Sequence, residues 1–482
     1  MAQPSIKKNY IYNTLYEILA IISPLITAPY AARIFEADGN GIYSRTYATT
    51  TFFAMFAALG IRSYGQREIA RHRDDKAAYS KIFWELETMC IITTLICLAC
   101  WVVLILVSQK YAVYYTVLSI TIVATAFDIS WFWGGHEQYK FIVIRNSLIK
   151  IIGIVMLFVF VREKSDLLLY IALIAITGFI GNVSMWTYLP KYLVKVDRST
   201  LKILPHFKNT LVYFVPTIAT SIYTILDKVM IGWITDSDFE NGYYEQATKI
   251  IHICKTVVFS LVTVMSSRMS FLFSKNAHEE IKRRMKDTYD FVLMITIPIV
   301  FGLIGVGKRF IPLFYGDGYE QSIPLLYLMS PLLLIICISN VLGSLYFTPS
   351  GQRARSNKAI ITGSVVNLIM NMTLIPFFNS IGATIGSLAA ELTITIMYLY
   401  MSRDYFNIKI LPALAWKRFI AAGTMLAGLY FVTMNTKDNW AGIVIQIVSG
   451  AAIYGVMLLV LRDRFLIDNL AKVFGRIRRQ QQ

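Results

Sequence analysis

The chain has 482 residues, of which 56% are hydrophobic and 16% charged, against roughly 25% charged in an average soluble protein. That balance excludes disorder and an ordinary soluble enzyme. The net charge of +17 does not read as nucleic-acid binding, because a chain this apolar has no soluble domain on which to carry a basic face. The positive charge belongs in loops, where it sets membrane topology.

A helical span needs about 20 apolar residues, and fourteen runs qualify: 9–32, 42–61, 84–107, 112–133, 141–161, 167–189, 210–234, 247–267, 290–306, 323–347, 358–377, 382–401, 418–434 and 440–461. The opening segment MAQPSIKKNYIYN lacks a cleavable signal, so the first run reads as a retained span. It carries Glu17, Pro24 and Pro29, and Arg33 stands just past its end. Arg45 opens the second run, and the loop that follows holds Arg62, Arg67, Arg71, Arg73, Lys76 and Lys81. Run three contains Cys97 and Cys100 at the spacing of a metal or redox motif, yet without a second pair or a nearby histidine, so all five cysteines read as packing residues. Asp128 in run four and Lys150 in run five read as a structural ion pair, and Trp131, Phe132 and Trp133 as interfacial belt residues. Pro216 bends run seven, which ends six residues beyond Lys228. Run eight carries Lys255 about eight residues inside its outer end, and run twelve carries Glu391.

Even-numbered connections are rich in base and odd-numbered ones poor; TDSDFENGYYEQ, after run seven, has no Lys or Arg. Both termini are therefore expected on the cytoplasmic side, the tail RDRFLIDNLAKVFGRIRRQQQ lying as a basic amphipathic segment at the inner surface. No loop is long enough for an extramembrane domain, and GVGKRF lacks the spacing and hydroxyl of a phosphate loop. The chain also echoes itself. IFEADGNGIYS and ITDSDFENGYYEQ both place an acidic turn before Gly-x-Tyr, with Gly41 and Gly242 in matching positions, and GGHEQYKF is echoed more weakly by PSGQRARSNK. The pattern implies two six-run halves in one orientation, residues 1–209 and 210–401, with 402–482 as an appendix of two further runs and the tail.

Four segments, PLITAPYAARIFEADGNGIYS, ALGIRSYGQREIARHRDD, YTILDKVMIG and GSVVNLIMNMTLIPFFNSIGATIGSLAAE with Asn367, Asn371, Pro376, Gly382, Ala383 and Glu391, resemble the Wzx-type polysaccharide flippases of the MOP exporter superfamily. The resemblance implies an all-α integral membrane protein of about fourteen spans: two six-helix lobes in a V-shaped, MATE-like arrangement, with two extra C-terminal helices. Spans one, two, seven and eight would line a cationic cavity. It implies an inner-membrane carrier, not an enzyme, that moves undecaprenyl-diphosphate-linked oligosaccharide to the outer leaflet for O-antigen, capsule, exopolysaccharide or related polymers. No cofactor, metal or nucleic acid is expected; the partners are the lipid-linked substrate, membrane lipids and polysaccharide-assembly proteins such as a polymerase, with the carrier itself a monomer.

An ionisable side chain inside a span is costly and marks a functional candidate. Arg33, Arg45, Lys228 and Lys255 come from the four helices that the resemblance places around the cavity, and fixed cations there suit a diphosphate. Glu17 and Glu391 are candidates for a coupling proton or sodium. Two rival readings are a MATE-like multidrug or cation exporter, which would favour acidic cavity residues, and a membrane polysaccharide polymerase or ligase, which would call for a large external loop.

Overall fold

The computed structural model describes residues 6–403 and 405–471, with side chains from residue 18 onward apart from 20, 139–141, 223, 261 and 267. No β-strand occurs among the described residues. Residues 472–482, the end of the expected basic tail, lie outside them. The helices are α1 (Ile6–Ala58), α2 (Ile61–Arg71), α3 (Lys76–Val107), α4 (Ala112–Ala126), α5 (Ser130–Gly135), α6 (Tyr139–Phe160), α7 (Leu167–Ser184), α8 (Ile203–Ser221), α9 (Asp227–Thr235), α10 (Asp238–Ser274), α11 (His278–Tyr315), α12 (Ser322–Leu342), α13 (Arg353–Ser402), α14 (Ile410–Met434) and α15 (Trp440–Val460).

Among the described residues ten helical stretches are long and apolar enough to cross a membrane, and a pair bent by 46°, Ile203–Ser221 with Thr224–Thr235, makes an eleventh. Two helices each contain two of the apolar runs. Runs one and two both fall in α1, on either side of Glu36, whose φ of 56° lies in the left-handed region. Runs eleven and twelve share α13, which doubles back at Asn379 (φ 50°). Ser356 Oγ and Tyr398 OH, 42 residues apart in sequence, lie 2.6 Å apart, and a Cβ on Gly382 or Gly386 would strike Leu374 or Asn371 of the opposite limb. The residues that carried the family resemblance are thus those that let this hairpin close.

By internal contacts the chain divides into two compact units, Met1–Gly242 and Tyr243–Gln482, so that run seven, α8 with α9, stays with the first six. In the first unit α1, α3, α4 and α7 pack around Trp101, Tyr115, Phe35 and Leu118, with Trp101 Nε1 donating to the Tyr115 carbonyl (3.0 Å). A second core holds Phe83, Tyr79, Ile69 and the three aromatics expected as a belt. Trp131, Phe132 and Trp133 are in fact buried on α5, with Trp131 stacked on Phe83 at 5.5 Å between ring centroids. Packing overrides the interfacial preference because α5 lies against α2, where Gly65 makes room: a Cβ there would come within 2.6 Å of the Trp131 ring. Asp128 meets Arg145, which shares α6 with Lys150, at 4.0 Å. A buried polar link fastens α8, as His206 lies 2.8 Å from Glu85 of α3 and 2.9 Å from Tyr64 of α2.

In the second unit α11 packs on α12, α14 and α15. Two arginines tie α11 to the C-terminal helix pair at opposite ends. Arg309 of α11 donates to Thr433 O, Thr436 O and Thr436 Oγ1 and pairs with Asp438. Arg418 of α14 donates to the backbone and carboxylate of Asp290 (both 2.8 Å) and approaches Asp463 at 3.4 Å.

Candidate cation sites in the membrane helices

The turn between α9 and α10 is only two residues, Asp236 and Ser237. Asp236 takes a left-handed conformation (φ 48°), and its carboxylate accepts from Arg45 Nη1 at 3.0 Å. The same Nη1 donates to Tyr111 OH (2.9 Å), while the guanidinium lies 4.4 Å from the centre of that ring. Tyr111 OH donates in turn to Asp238 Oδ1 (2.7 Å), and Lys110 holds the other Asp238 oxygen at 3.1 Å. Arg45 is thus buried, 8% exposed, within a network of two acids, a tyrosine and a lysine. It holds the Asp236 carboxyl below the usual carboxylate range, chiefly through their hydrogen bond. Arg45 does not snorkel, because the acidic turn folds over it.

The repeated turns are the scaffold of this network. An added Cβ on Gly41 would fall 1.6 Å from the Asp238 carbonyl oxygen, and one on Gly242 would fall 1.9 Å from that of Ala37. The asparagine before each glycine is buried and bonds the helix that precedes its turn. Asn40 Nδ2 donates to Ala31 O (3.1 Å) and Glu36 O (2.8 Å). The Asn241 amide donates to Lys228 O (2.8 Å) and accepts from Gly232 N (3.0 Å). Two Asn-Gly pairs therefore use side chain and backbone alike. The repeated dipeptide was the sequence signal for this; the reciprocal contact was not visible.

Lys228 sits on α9, two residues past the π-helical turn Ile222–Leu226, and is half-buried. Its neighbour Asp227 is buried, so the two face different surroundings, as adjacent helical residues about 100° apart do. Arg33 is exposed on α1, three residues before the kink at Glu36. Glu17 lies on α1, and its side chain is outside the described residues.

Lys255 and Glu391 belong to the second unit. Helix α10 starts at Asp238, nine residues earlier than the apolar run suggested, so Lys255 lies seventeen residues along it, about 25 Å at 1.5 Å per residue. The helix therefore extends further on the N-terminal side of Lys255 than the apolar run does, because the polar turn sequence is itself helical. Lys255 is half-buried, interacts electrostatically with the buried Glu391 of α13, and holds its ammonium 5.8 Å from the Phe259 ring centre. Among the described residues no group of three His, Cys, Asp or Glu side chains could hold a metal ion.

Residues 6–273 match the family model described as "Polysaccharide biosynthesis protein". The chain belongs to that family. This family member is 24% identical over 414 residues to the "Putative O-antigen transporter" of Escherichia coli (strain K12), a match covering 83% of this chain and 97% of the relative. It is 22% identical over 279 residues to the "Probable low-salt glycan biosynthesis flippase Agl15" of Haloferax volcanii, with 55% and 57% covered. Among solved structures, the lipid II flippase MurJ in an inward closed conformation is similar with a TM-score of 0.72 and 18% identity, over 94% of this chain and 99% of that one. An inward-facing MATE multidrug transporter of the MOP superfamily gives 0.61 and 14%, over 86% and 96%. The fold is that of the MOP transporters, and the chain is a multi-pass membrane protein. The kinship with Wzx-type flippases read from four sequence segments is upheld, and the named relatives are transporters and flippases, not enzymes.

Proposed function

We propose that this protein is a polysaccharide flippase that carries an undecaprenyl-diphosphate-linked oligosaccharide from the inner to the outer leaflet of the bacterial cytoplasmic membrane by alternating access, with both termini cytoplasmic. The observation that carries the reading is that Lys228 and Lys255 stand half-buried on membrane helices of a chain that belongs to a polysaccharide biosynthesis family. Removing a diphosphate from water across about 30 Å of hydrocarbon is the central difficulty of flipping. Fixed ammonium groups on partly solvated membrane helices offset part of that cost. We assign contact with the anionic headgroup to Lys228 and Lys255, assisted by the exposed Arg33. Arg45, already paired, shapes the α9–α10 turn beside Lys228.

Glu391 gives the cycle a coupling step. As a carboxylate it competes with a substrate phosphate for Lys255; protonated, it releases that lysine. The lipid-linked substrate and the surrounding lipids are the partners, and the carrier acts as a monomer that supplies a polymerase. The test is complementation of a strain lacking its own flippase with Lys228→Gln/Lys255→Gln, membrane expression being confirmed by immunoblot. Loss of surface polymer is expected, and wild-type polymer would overturn the assignment.

A further inference from the structure

A cavity of about 810 Å³ in the second unit is lined by neither Lys255 nor Glu391. It opens where α11 begins, where α14 has made two turns and where the chain leaves α15, with one wall from Val264 and Met265 of α10. Its basic lining comes from Arg284, Lys286, Lys417 and Arg464, with the clamp residue Arg418 at its back. Arg284 and Arg418 each bury an Nε–H that makes no hydrogen bond within the protein. For Arg418, only 1% exposed, the nearby Asp463 oxygen at 3.4 Å leaves that donor unsatisfied. Asp290 and Asp463 also line the cavity and are taken up by Arg418; beyond that clamp Arg284, Lys286, Lys417 and Arg464 outnumber the remaining carboxylates, and this excess of cations points to an oxyanion as the occupant.

The surroundings narrow the class of anion. Asp287 and Asp468 also line the cavity and are exposed, so a bare multivalent anion is disfavoured, whereas a phosphate whose substituent carries hydrogen-bond donors is matched at both ends. The cavity also has apolar lining from Val264, Phe291 and Leu414. Next to it on α14, Trp416, Phe419 and Ile420 are exposed. Tryptophan followed by a lipid-facing apolar strip is the signature of the headgroup level of a bilayer, and basic pockets between membrane helices at that level suit anionic headgroups.

We propose that this cavity is a phospholipid site: it holds the phosphate diester of a bilayer lipid against Arg284, Arg418, Lys286 and Arg464, with the headgroup's hydroxyl or ammonium donors toward Asp287 and Asp468 and the acyl chains along α14. The site is separate from the transport cations and stands whether or not the flippase reading does. It makes the packing of α14 and α15 on α11 dependent on lipid.

The test is native mass spectrometry of the full-length protein, delipidated in detergent and titrated with phosphatidylglycerol, with parallel arms of inorganic phosphate and of a polyprenyl diphosphate. Lys286→Gln/Arg464→Gln removes two rim charges without touching the Arg418 clamp, and Lys282→Gln/Arg283→Gln on the same helix but outside the cavity is the control. Each cation near a membrane surface contributes about 1 kcal/mol, so the rim variant is expected to bind phosphatidylglycerol about thirtyfold more weakly, with the control unchanged. Should the double variant fail to fold, Arg464→Gln alone carries the test, with an expected loss of about fivefold. Equal binding by wild type and rim variant, or equal weakening in the control, overturns the proposal. Rim-dependent saturation by inorganic phosphate or by the polyprenyl diphosphate, with none by phosphatidylglycerol, would overturn its assignment to bilayer lipid.

Discussion

Replacing Gly41 with alanine tests the reciprocal turn contact on which the Arg45 network is built. The added methyl would lie 1.6 Å from the Asp238 carbonyl oxygen and 3.0 Å from Gly242 N, where contacts under 3.0 Å do not occur. The two segments must therefore part by about 1.5 Å, and the displaced atom is backbone in the first turn of α10, which no side-chain rotation relieves. Overpacking costs typically 1–3 kcal/mol; with backbone on both sides, and with Asp236 and Asp238 drawn away from Arg45 and Lys110, about 3 kcal/mol is expected. Gly153→Ala on α6 is the control, since nothing lies within 4 Å of its Cβ position, and there alanine is neutral or gains up to about 1 kcal/mol of helix propensity. Gly41→Ala/Gly242→Ala should cost less than the sum of its parts, because one separation relieves both clashes. The assay is reversible unfolding of the purified proteins in mixed micelles. A Gly41→Ala stability within 0.5 kcal/mol of Gly153→Ala would refute the reasoning about overpacking.

Three further outcomes follow from other parts of the molecule. Arg418→Met leaves Asp290 and Asp463 as unmatched carboxylates at a buried joint and is expected to cost about 3–5 kcal/mol, read in the same unfolding assay. His136 is packed among Tyr79, Phe132 and Tyr192 with its Nε2 buried and unbonded, and burial, helped by Arg73, pushes its pKa down to about 4. The unfolded chain binds that proton more readily, so stability is unaffected above about pH 6.5 and falls as pH drops from there toward 4. The loss is at most about 2 kcal/mol after allowance for partial solvent exposure, and His136→Phe should flatten that slope. Arg309→Gln removes the ties to Thr433, Thr436 and Asp438, and limited proteolysis should then cut the α14–α15 connection faster than in wild type, with α14 and α15 themselves resistant.

The apolar runs and the family were legible because burial in lipid writes itself as composition: runs of about 20 residues survive any error in their ends. Where chain reversals lack a loop, the signal fades. Asn379 turns α13 back on itself with no intervening loop, and the sequence offers only a single residue tolerant of the left-handed conformation. The start of α10 was hidden because most of TDSDFENGYYEQ, which reads as a polar turn, is already helical from Asp238 onward. The partners of Arg45 were visible as an acidic turn, but pairing residues 45 and 236 is a tertiary event that local pattern does not encode. Trp131 and Trp133 followed the opposite course, their usual interfacial place overridden by a glycine on a neighbouring helix.

Arg33, Arg45, Lys228 and Lys255 all stand on membrane helices, and the degree of burial sets them apart from one another. Arg45, Arg309 and Arg418 are largely buried and matched by acids or carbonyls; exchanging those partners for a substrate would dismantle the joints they make. Lys228 and Lys255 are half-buried, so the phosphate contact proposed for them carries a smaller desolvation cost than one made by a fully buried cation. For Lys255 the internal competitor is Glu391. Glu391→Gln removes the competing charge at nearly constant shape, so the variant should bind lipid-linked substrate more tightly, yet its transport should no longer respond to pH. In proteoliposomes with a fluorescent lipid-linked glycan, wild-type flipping is expected to change with lumenal pH while Glu391→Gln stays flat. A variant that keeps the wild-type pH response would remove Glu391 from the coupling step and leave Lys255 a plain electrostatic contact.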